Sequence, residues 1–162
     1  MQKYLHSLFV SLISLWLGWT ILVDFFVAPT IFRVIEDFFN AGELGMALFS
    51  KLNNLELILS SILMFITVMI YRRSGNKVIL ILVSLVTLLI ILYFSYLTPK
   101  IIYLTELWKK ADGMGVIGIE DISDIQLEHQ FYHKLYIALD TLKLIILATL
   151  LGYSVVKKEK LG

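Results

Sequence analysis

The chain has 162 residues, of which 59% are hydrophobic and 17% are charged, and its mean hydropathy is +0.84. Soluble domains carry about 25% charged residues, so this composition indicates a protein whose main partner is the lipid bilayer. The net charge is +1, so the chain does not have the excess of basic residues that is typical of nucleic-acid-binding proteins. The absence of cysteine excludes disulfides, thiolate metal ligands and thiol catalysis.

Four apolar stretches are each long enough to cross the ~30 Å hydrocarbon core of a bilayer as a helix. A cleaved signal peptide is the alternative for the first stretch, but Phe25–Pro29 is a poor small-residue cleavage site. We predict an all-α integral membrane four-helix bundle, with residues 1–162 forming a single transmembrane domain. The predicted spans are residues 4–28, 52–71, 78–98 and 135–156.

Basic residues near the ends of the spans predict the orientation of the chain. Lys3, the Arg72–Lys77 turn and the Lys157–Lys160 tail lie on one predicted face. The basic residues of the opposite face are spread over two longer loops that also contain acidic residues. Because cytoplasmic loops retain Lys and Arg near span ends, we predict that both termini are cytoplasmic, in a plasma or inner membrane.

Each of the two outer loops contains an amphipathic stretch that favours a short helix at the membrane surface. The first is Thr30–Asn40, which we expect to end at Ala41-Gly42. The second is Lys100–Lys110, followed by a predicted flexible break at Ala111–Gly115.

A weak internal repeat relates the two halves of the chain. The first span ends in Ala28–Phe32 and the third in Thr98–Ile102, each with a proline at its second position. An amphipathic stretch and a span with an acidic residue, Glu56 or Asp140, follow in both cases. Proline commonly ends a helix, so both duplication and coincidence explain the pattern.

Polar residues form two helical stripes in the outer half of the predicted bundle, because they recur every three or four residues. Ionisable groups within a span cost at least ~2.5 kcal/mol near the bilayer centre and usually face a partner or a water-filled cavity. The stripes are Asn53, Glu56, Ser60 and Thr67 on the second span, and His129, His133, Tyr136, Asp140 and Lys143 on the fourth. The predicted ligand or ion site consists of Asp24, Asn53, Glu56, His133, Tyr136, Asp140 and Lys143.

The charges of this predicted site do not balance, because three carboxylates face one lysine. The surplus could be offset by a proton, by a bound cation, or by Arg33 and Lys100 reaching in from the interface. Alternatively, Lys143 forms a purely structural ion pair with Glu56 or Asp140.

His129 and His133 have the spacing with which one helix face can bind a metal. The sequence between them lacks the metalloprotease glutamate, so a protease is disfavoured, whereas Glu128, Glu56 or Asp24 could complete a transition-metal site. The two histidines cannot bind opposite sides of one haem iron, but a single axial His133 remains open. The sequence therefore leaves the cofactor unknown, with a transition metal or haem as candidates.

Several short motifs resemble a known group of proteins. They are Trp16-Leu17-Gly18, Phe25–Phe32, Ala41-Gly42-Glu43, Phe49 and a last span entered at His133. In these motifs the chain resembles the uncharacterised four-span membrane proteins grouped as transmembrane protein 205-like. The resemblance implies a four-helix membrane fold without an agreed molecular activity.

A more distant likeness is to the four-span protoporphyrinogen oxidase of bacteria, in which a first-span histidine precedes a Trp and a Gly. Here His6 precedes Trp16 at a longer spacing, and Arg33 follows Phe32 instead of Pro29. This likeness implies haem- or quinone-linked redox chemistry.

Three functional hypotheses follow from these observations. The leading one is a non-enzymatic membrane protein whose polar site binds or passes a small cation or polar ligand. The alternatives are a haem- or quinone-linked redox protein and a structural subunit that uses its intramembrane charges for helix pairing. Transport through so small a bundle would require a homo-oligomer or a membrane partner subunit.

Overall fold

A computed structural model describes residues 2–114 and 119–159, and within these ranges every regular element is helical. The elements are α1 (Gln2–Leu22), a first π-helical turn (Val23–Val27), α2 (Ala28–Val34), α3 (Phe38–Ser74), α4 (Lys77–Leu92), a second π-helical turn (Tyr93–Leu97), α5 (Thr98–Met114) and α6 (Ile119–Glu159).

Four continuous helical segments are long and apolar enough to cross a membrane. They are Tyr4–Val34, Phe38–Ser74, Lys77–Gly113 and Ile122–Val156. The predicted all-α four-helix fold is therefore confirmed, and the protein is an integral membrane protein. Each predicted span lies within one of these segments, whereas the single-domain assignment stays a prediction.

Local sequence determines the turns on both sides of α3. Asp37 caps its start, because the Asp37 side chain accepts a hydrogen bond from the Asn40 backbone N–H at 2.7 Å. Gly75, at φ 65°, adopts the left-handed conformation that ends the helix. We call the end of the bundle that contains Gly75 the inner end, and the end that contains residues 35–37 the outer end.

The two prolines do not end helices. Proline lacks an N–H, and its ring crowds the carbonyl four residues earlier. A π-helical turn, which is wider than an α-turn, precedes each proline: Ala28 N–H bonds the Val23 carbonyl, and Thr98 N–H bonds the Tyr93 carbonyl. The second predicted loop helix, Lys100–Lys110, is therefore a direct continuation of the third span, as part of α5. The first, Thr30–Asn40, is wrong as a single helix: residues 30–34 continue the first span in α2, the chain is extended at Ile35 and Asp37, and residues 38–40 begin α3.

Two predicted breaks are wrong in the described part of the chain. Ala41-Gly42 lies inside α3, because a glycine costs only about 1 kcal/mol in a helix interior and Ala41 is fully buried against its neighbours. Ala111–Gly113 continues α5 as far as Met114, and Gly115 lies outside the described residues.

The core changes character along the bundle axis. Its inner half is mainly apolar, although Ser60, Thr67 and Ser154 are also buried there. The buried apolar members include Phe9, Ile13, Leu63, Ile66, Ile79, Val83, Val86, Leu147 and Leu150. At the inner end, His6 donates to the Ser154 carbonyl at 3.0 Å and Tyr153 donates to Asn76 Oδ1 at 3.4 Å. Among the described residues, the buried charged side chains are those of Glu56, Asp140 and Lys143, and they lie near the middle of the bundle, on the outer side of this apolar core.

Candidate polar site

Glu56 is the centre of the buried polar cluster and lies midway along α3. It is only 4% exposed. A single carboxylate oxygen, Oε1, accepts hydrogen bonds from Lys143 Nζ at 2.8 Å, Trp16 Nε1 at 2.9 Å and Thr20 Oγ1 at 3.4 Å. The other oxygen, Oε2, is buried and has no hydrogen-bond partner among the described residues. Donors from α1 and α6 thus converge on α3, and one acceptor is left open.

Lys143 connects Glu56 to a second carboxylate. Its Nζ lies 2.6 Å from Asp140 Oδ1, one turn earlier on α6. The same ammonium lies 5.6 Å from the centroid of the Tyr93 ring, in a cation–π contact. The Lys143 side chain is 3% exposed, so the carboxylates and this ring replace its hydration.

Asp24 brings a third carboxyl group to the site. It lies in the first π-helical turn, and its carboxyl is within hydrogen-bonding distance of that of Asp140. Its Oδ2 is buried and has no partner in the described structure. Two ionised carboxylates this close repel each other, so a proton or a cation is needed between them.

A second set of hydrogen bonds holds α5 and α6 against α3 beside this charge cluster. Asn53 Nδ2 donates to Thr98 Oγ1 at 2.6 Å, and the Tyr136 hydroxyl donates to Asn53 Oδ1 at 3.2 Å. The Tyr136 ring packs on Tyr93 with a centroid separation of 4.9 Å. These contacts fix the Tyr136 side of α6, and with it the position of Asp140 one turn further along.

A small cavity of about 10 Å³ lies among these groups, and Thr20, Asp24, Asn53, Glu56, Asp140 and Lys143 are among its lining residues. A volume of this size accommodates about one water-sized particle. We call it the inner cavity.

A much larger space, the outer cavity, lies between the inner cavity and the outer end of the bundle. Its volume is about 780 Å³, within the range of small-molecule sites. Its walls come from α2, the start of α3, α5 and α6, and most of them are aromatic or aliphatic. Asp24, Phe49, Tyr136 and Asp140 line both cavities, so the two spaces are adjacent and the carboxyl pair lies at their boundary.

His129 and His133 line the outer cavity instead of joining the charge cluster. Their rings are parallel, with centroids 6.0 Å apart, and His129 packs edge-on against Trp108. Glu128 pairs with Lys100 at 2.9 Å. Within the described ranges, no group of three or more His, Asp or Glu side chains is arranged to hold a metal ion.

Six of the seven residues named from the sequence for the ligand site line the inner cavity. They are Asp24, Asn53, Glu56, Tyr136, Asp140 and Lys143. The seventh, His133, lines the outer cavity. Whether these residues bind a ligand stays a prediction.

The sequence analysis missed four members of the site: Trp16, Thr20, Tyr93 and Thr98. Trp16 and Thr20 were recognisable, because they precede Asp24 at four-residue intervals on one helix face and a buried Trp N–H needs an acceptor. Tyr93 begins the second π-helical turn and Thr98 follows it, and because this turn breaks the regular helical spacing, no periodicity marked them.

The geometry defines a class of protein: an integral membrane four-helix bundle with a buried charge cluster at the floor of an apolar cavity. Residues 11–110 match a family model described as a domain of unknown function, DUF4149, and the chain belongs to this family. The matched segment includes Trp16, Asp24 and Glu56 and ends before Asp140 and Lys143. Searches of curated proteins and of solved structures found no match to the chain.

Proposed function

We propose that this chain is a non-enzymatic membrane protein whose inner cavity binds a small cation. The observation that carries the proposal is the meeting of three carboxyl groups, those of Asp24, Glu56 and Asp140, with the single ammonium of Lys143. One ammonium can balance one carboxylate. Buried charge without a counterion costs several kcal/mol, so the remaining groups require protons or a cation.

The arrangement favours a proton or a monovalent cation over a divalent metal. Lys143 occupies the space between Glu56 and Asp140, so the three carboxyl groups do not converge as a metal cage. The open acceptors are Glu56 Oε2 and Asp24 Oδ2. Uncharged oxygen atoms from Thr20 and Asn53 in the same lining could add to the coordination of a hard cation.

The observations support binding of a cation more strongly than passage of a cation across the membrane through a single copy of the chain. The inner cavity borders the outer cavity at Asp24 and Asp140, but the core on the inner side is filled by apolar side chains such as Ile13, Leu147 and Leu150. Passage across the membrane would therefore need an assembly of several copies or a partner subunit.

The test is thermal unfolding of the detergent-purified protein in Li⁺, Na⁺ or K⁺ chloride, compared with the isosteric variant Asp24→Asn. A cation that binds only the folded state stabilises it by about 2.7 kcal/mol at 100 times its Kd. We expect one cation to raise the Tm of the wild type and to lose this effect in the variant. General salt effects act on both proteins equally, so the difference reports the site.

If the occupant is a proton, the identity of the salt has no effect. The wild-type Tm then falls as the pH rises, because loss of the proton leaves Asp24 and Asp140 as facing carboxylates beside Glu56 and Lys143, and Asp24→Asn weakens this dependence. Equal responses of both proteins to every salt and to pH would refute the proposal.

The contacts of Lys143 also support a structural subunit as a second candidate. Lys143 pairs with Glu56 and Asp140 in the buried part of the bundle, and such pairs can specify helix register. The double change Asp140→Asn and Lys143→Met separates the two functions. A structural role predicts altered assembly in native electrophoresis with cation binding intact, whereas a cation site predicts loss of binding.

The redox alternative rests on His133, which lines an outer cavity large enough for an organic cofactor. An absorption spectrum of the purified protein with added haem tests it. A haem band that is lost in His133→Ala would favour redox chemistry; no band in either protein would count against it.

The proposed orientation, with both termini cytoplasmic in a plasma or inner membrane, rests on Arg72, Arg73 and Lys77 at the inner end. The chain has no native cysteine, so single Ser74→Cys and Asn40→Cys variants can be labelled in intact cells with a membrane-impermeant maleimide. We expect labelling of Asn40→Cys alone; labelling of Ser74→Cys alone would reverse the orientation.

A further inference from the structure

We propose that the outer cavity binds a hydrophobic amine, whose ammonium group contacts the Asp24–Asp140 pair and whose apolar body fills the cavity. This inference rests on the proposed cation site, because the same carboxyl pair would take the charge. It goes further because it names a class of organic ligand for the outer cavity. The volume of the outer cavity, 780 Å³, is about 80 times that of the inner cavity, 10 Å³.

The walls of the outer cavity match an apolar ligand body. Phe32 of α2, Phe49 of α3, and Ile101 and Trp108 of α5 are among the lining residues. Aromatic and aliphatic walls with a few convergent polar groups are typical of small-molecule sites. Aromatic faces also attract ammonium groups.

The charges at the floor favour a cationic ligand over an anionic one. The carboxyl-bearing residues Asp24 and Asp140 both line the outer cavity at its floor. Lys143 contacts Glu56 and Asp140 and lines the inner cavity only. Lys134 lines the outer cavity as well, but it lies about 9 Å before Asp140 along α6. A ligand carboxylate that reached the floor would therefore meet Asp24 first.

The bundle gives such a ligand a lateral route from the bilayer. In the described ranges, α2 packs against α3 but makes no close backbone contact with α6, and α2 has no buried residue. Side chains on both sides of this gap, Phe32 on α2 and Ile137 on α6, line the cavity and are 48% and 52% exposed. Hydrophobic amines concentrate in bilayers, so they would reach the gap from the lipid.

Three probes with one biphenyl body test the inference: 4-phenylbenzylamine, 4-phenylbenzyl alcohol and 4-biphenylacetic acid. Binding to the detergent-purified full chain is measured by the shift in Tm and by quenching of tryptophan fluorescence. We expect the amine to bind at least about tenfold more tightly than the alcohol, since a charge-assisted hydrogen bond separates them. The acid should bind most weakly.

Two variants separate the roles of charge and space. Asp24→Asn should remove the preference for the amine over the alcohol. Gly42→Leu should weaken binding of both probes, because Gly42 lines the cavity and a Cβ there would meet no atom within 4 Å, so the added side chain occupies free space. Gly152→Leu is the matched control: Gly152 is equally open, lies near the inner end of α6 and is outside both cavities.

The outcomes also distinguish this inference from the proposed function. Equal binding of amine and alcohol, preference for the acid, or binding that Gly42→Leu leaves unchanged would each overturn the hydrophobic-amine site. If Li⁺, Na⁺, K⁺ or pH still acted through Asp24 in that case, the cation site would stand alone. If Asp24→Asn changed neither response, both proposals would fall together.

Discussion

The two π-helical turns share one backbone conformation, but the helices that follow them differ in how they pack. Each precedes a proline and lets a membrane helix continue towards the outer end. The first turn, Val23–Val27, carries a carboxyl group at Asp24 and leads into α2, which has no buried residue. The second, Tyr93–Leu97, buries Tyr93 and leads into α5, which buries Leu104, Thr105 and Ala111.

The difference teaches how this bundle forms a cavity without losing its fold. On the side of the second turn, Thr98 bonds Asn53, and α5 packs closely along α6, so α5 is tied to α3 and α6. On the side of the first turn, α2 packs against α3 and, in the described structure, against no other α-helix. We call α2 and α5 the two arms of the bundle. The α5 arm therefore closes the core on its side, whereas the α2 arm leaves open the outer cavity, which Asp24 and Asp140 line.

The largest effect on stability is expected from substitution of Lys143, because this residue is connected to both π-helical turns. It contacts Asp140, the partner of Asp24 from the first turn, and it lies over Tyr93 from the second. Lys143→Met would leave Glu56 and Asp140 buried without their ammonium. We expect a loss of about 3–5 kcal/mol in the free energy of unfolding, measured by denaturant titration in mixed micelles.

Lys134→Met is the matched control, since Lys134 lies on the same helix but is exposed. Adding Glu56→Gln to Lys143→Met should recover part of the lost stability, because it removes one unpaired charge. If Lys143→Met were as stable as Lys134→Met, the charges would not hold the two arms together.

A smaller effect is expected from the hydroxyl groups beside the two turns. Thr98→Val would leave Asn53 Nδ2 buried without its acceptor, and we expect a loss of about 1–3 kcal/mol. Thr30, near the first turn, is exposed and bonds only the Phe26 carbonyl of its own helix. Thr30→Val should therefore change stability by less than about 0.5 kcal/mol. Equal losses in the two variants would contradict the asymmetry between the arms.

The sequence predicted the fold and the convergence of charges because both depend on regular helical spacing. Glu56, Asp140 and Lys143 are rare ionisable residues in apolar spans, and their spacing placed each on an inward face. Irregular backbone was not predictable in the same way. Pro29 and Pro99 looked like helix ends, because nothing in single-residue preferences signals a π-helical turn before a proline. The outer cavity depends on how α2 diverges from α6, which is a property of packing.

The third prediction concerns the mobility of the two arms and is measured by hydrogen exchange with mass spectrometry in nanodiscs. Amides open locally where few apolar contacts are buried. We expect the amides of residues 30–34 in α2 to exchange at least about tenfold faster than those of residues 100–105 in α5, which corresponds to about 1.4 kcal/mol in opening free energy. Equal protection would mean that α2 is held by contacts equivalent to those of α5.

Lys100→Gln identifies which contacts cause that difference. The Lys100–Glu128 pair lies near the outer end, and its side chains are 28% and 46% exposed. Ion pairs with such exposure contribute little to stability. We therefore expect exchange in α5 to stay slow in Lys100→Gln and to accelerate in Thr98→Val, because the buried bond to Asn53 ties this arm to α3. The reverse result would mean that the exposed Lys100–Glu128 ion pair, and not the buried Asn53–Thr98 hydrogen bond, holds α5 in place.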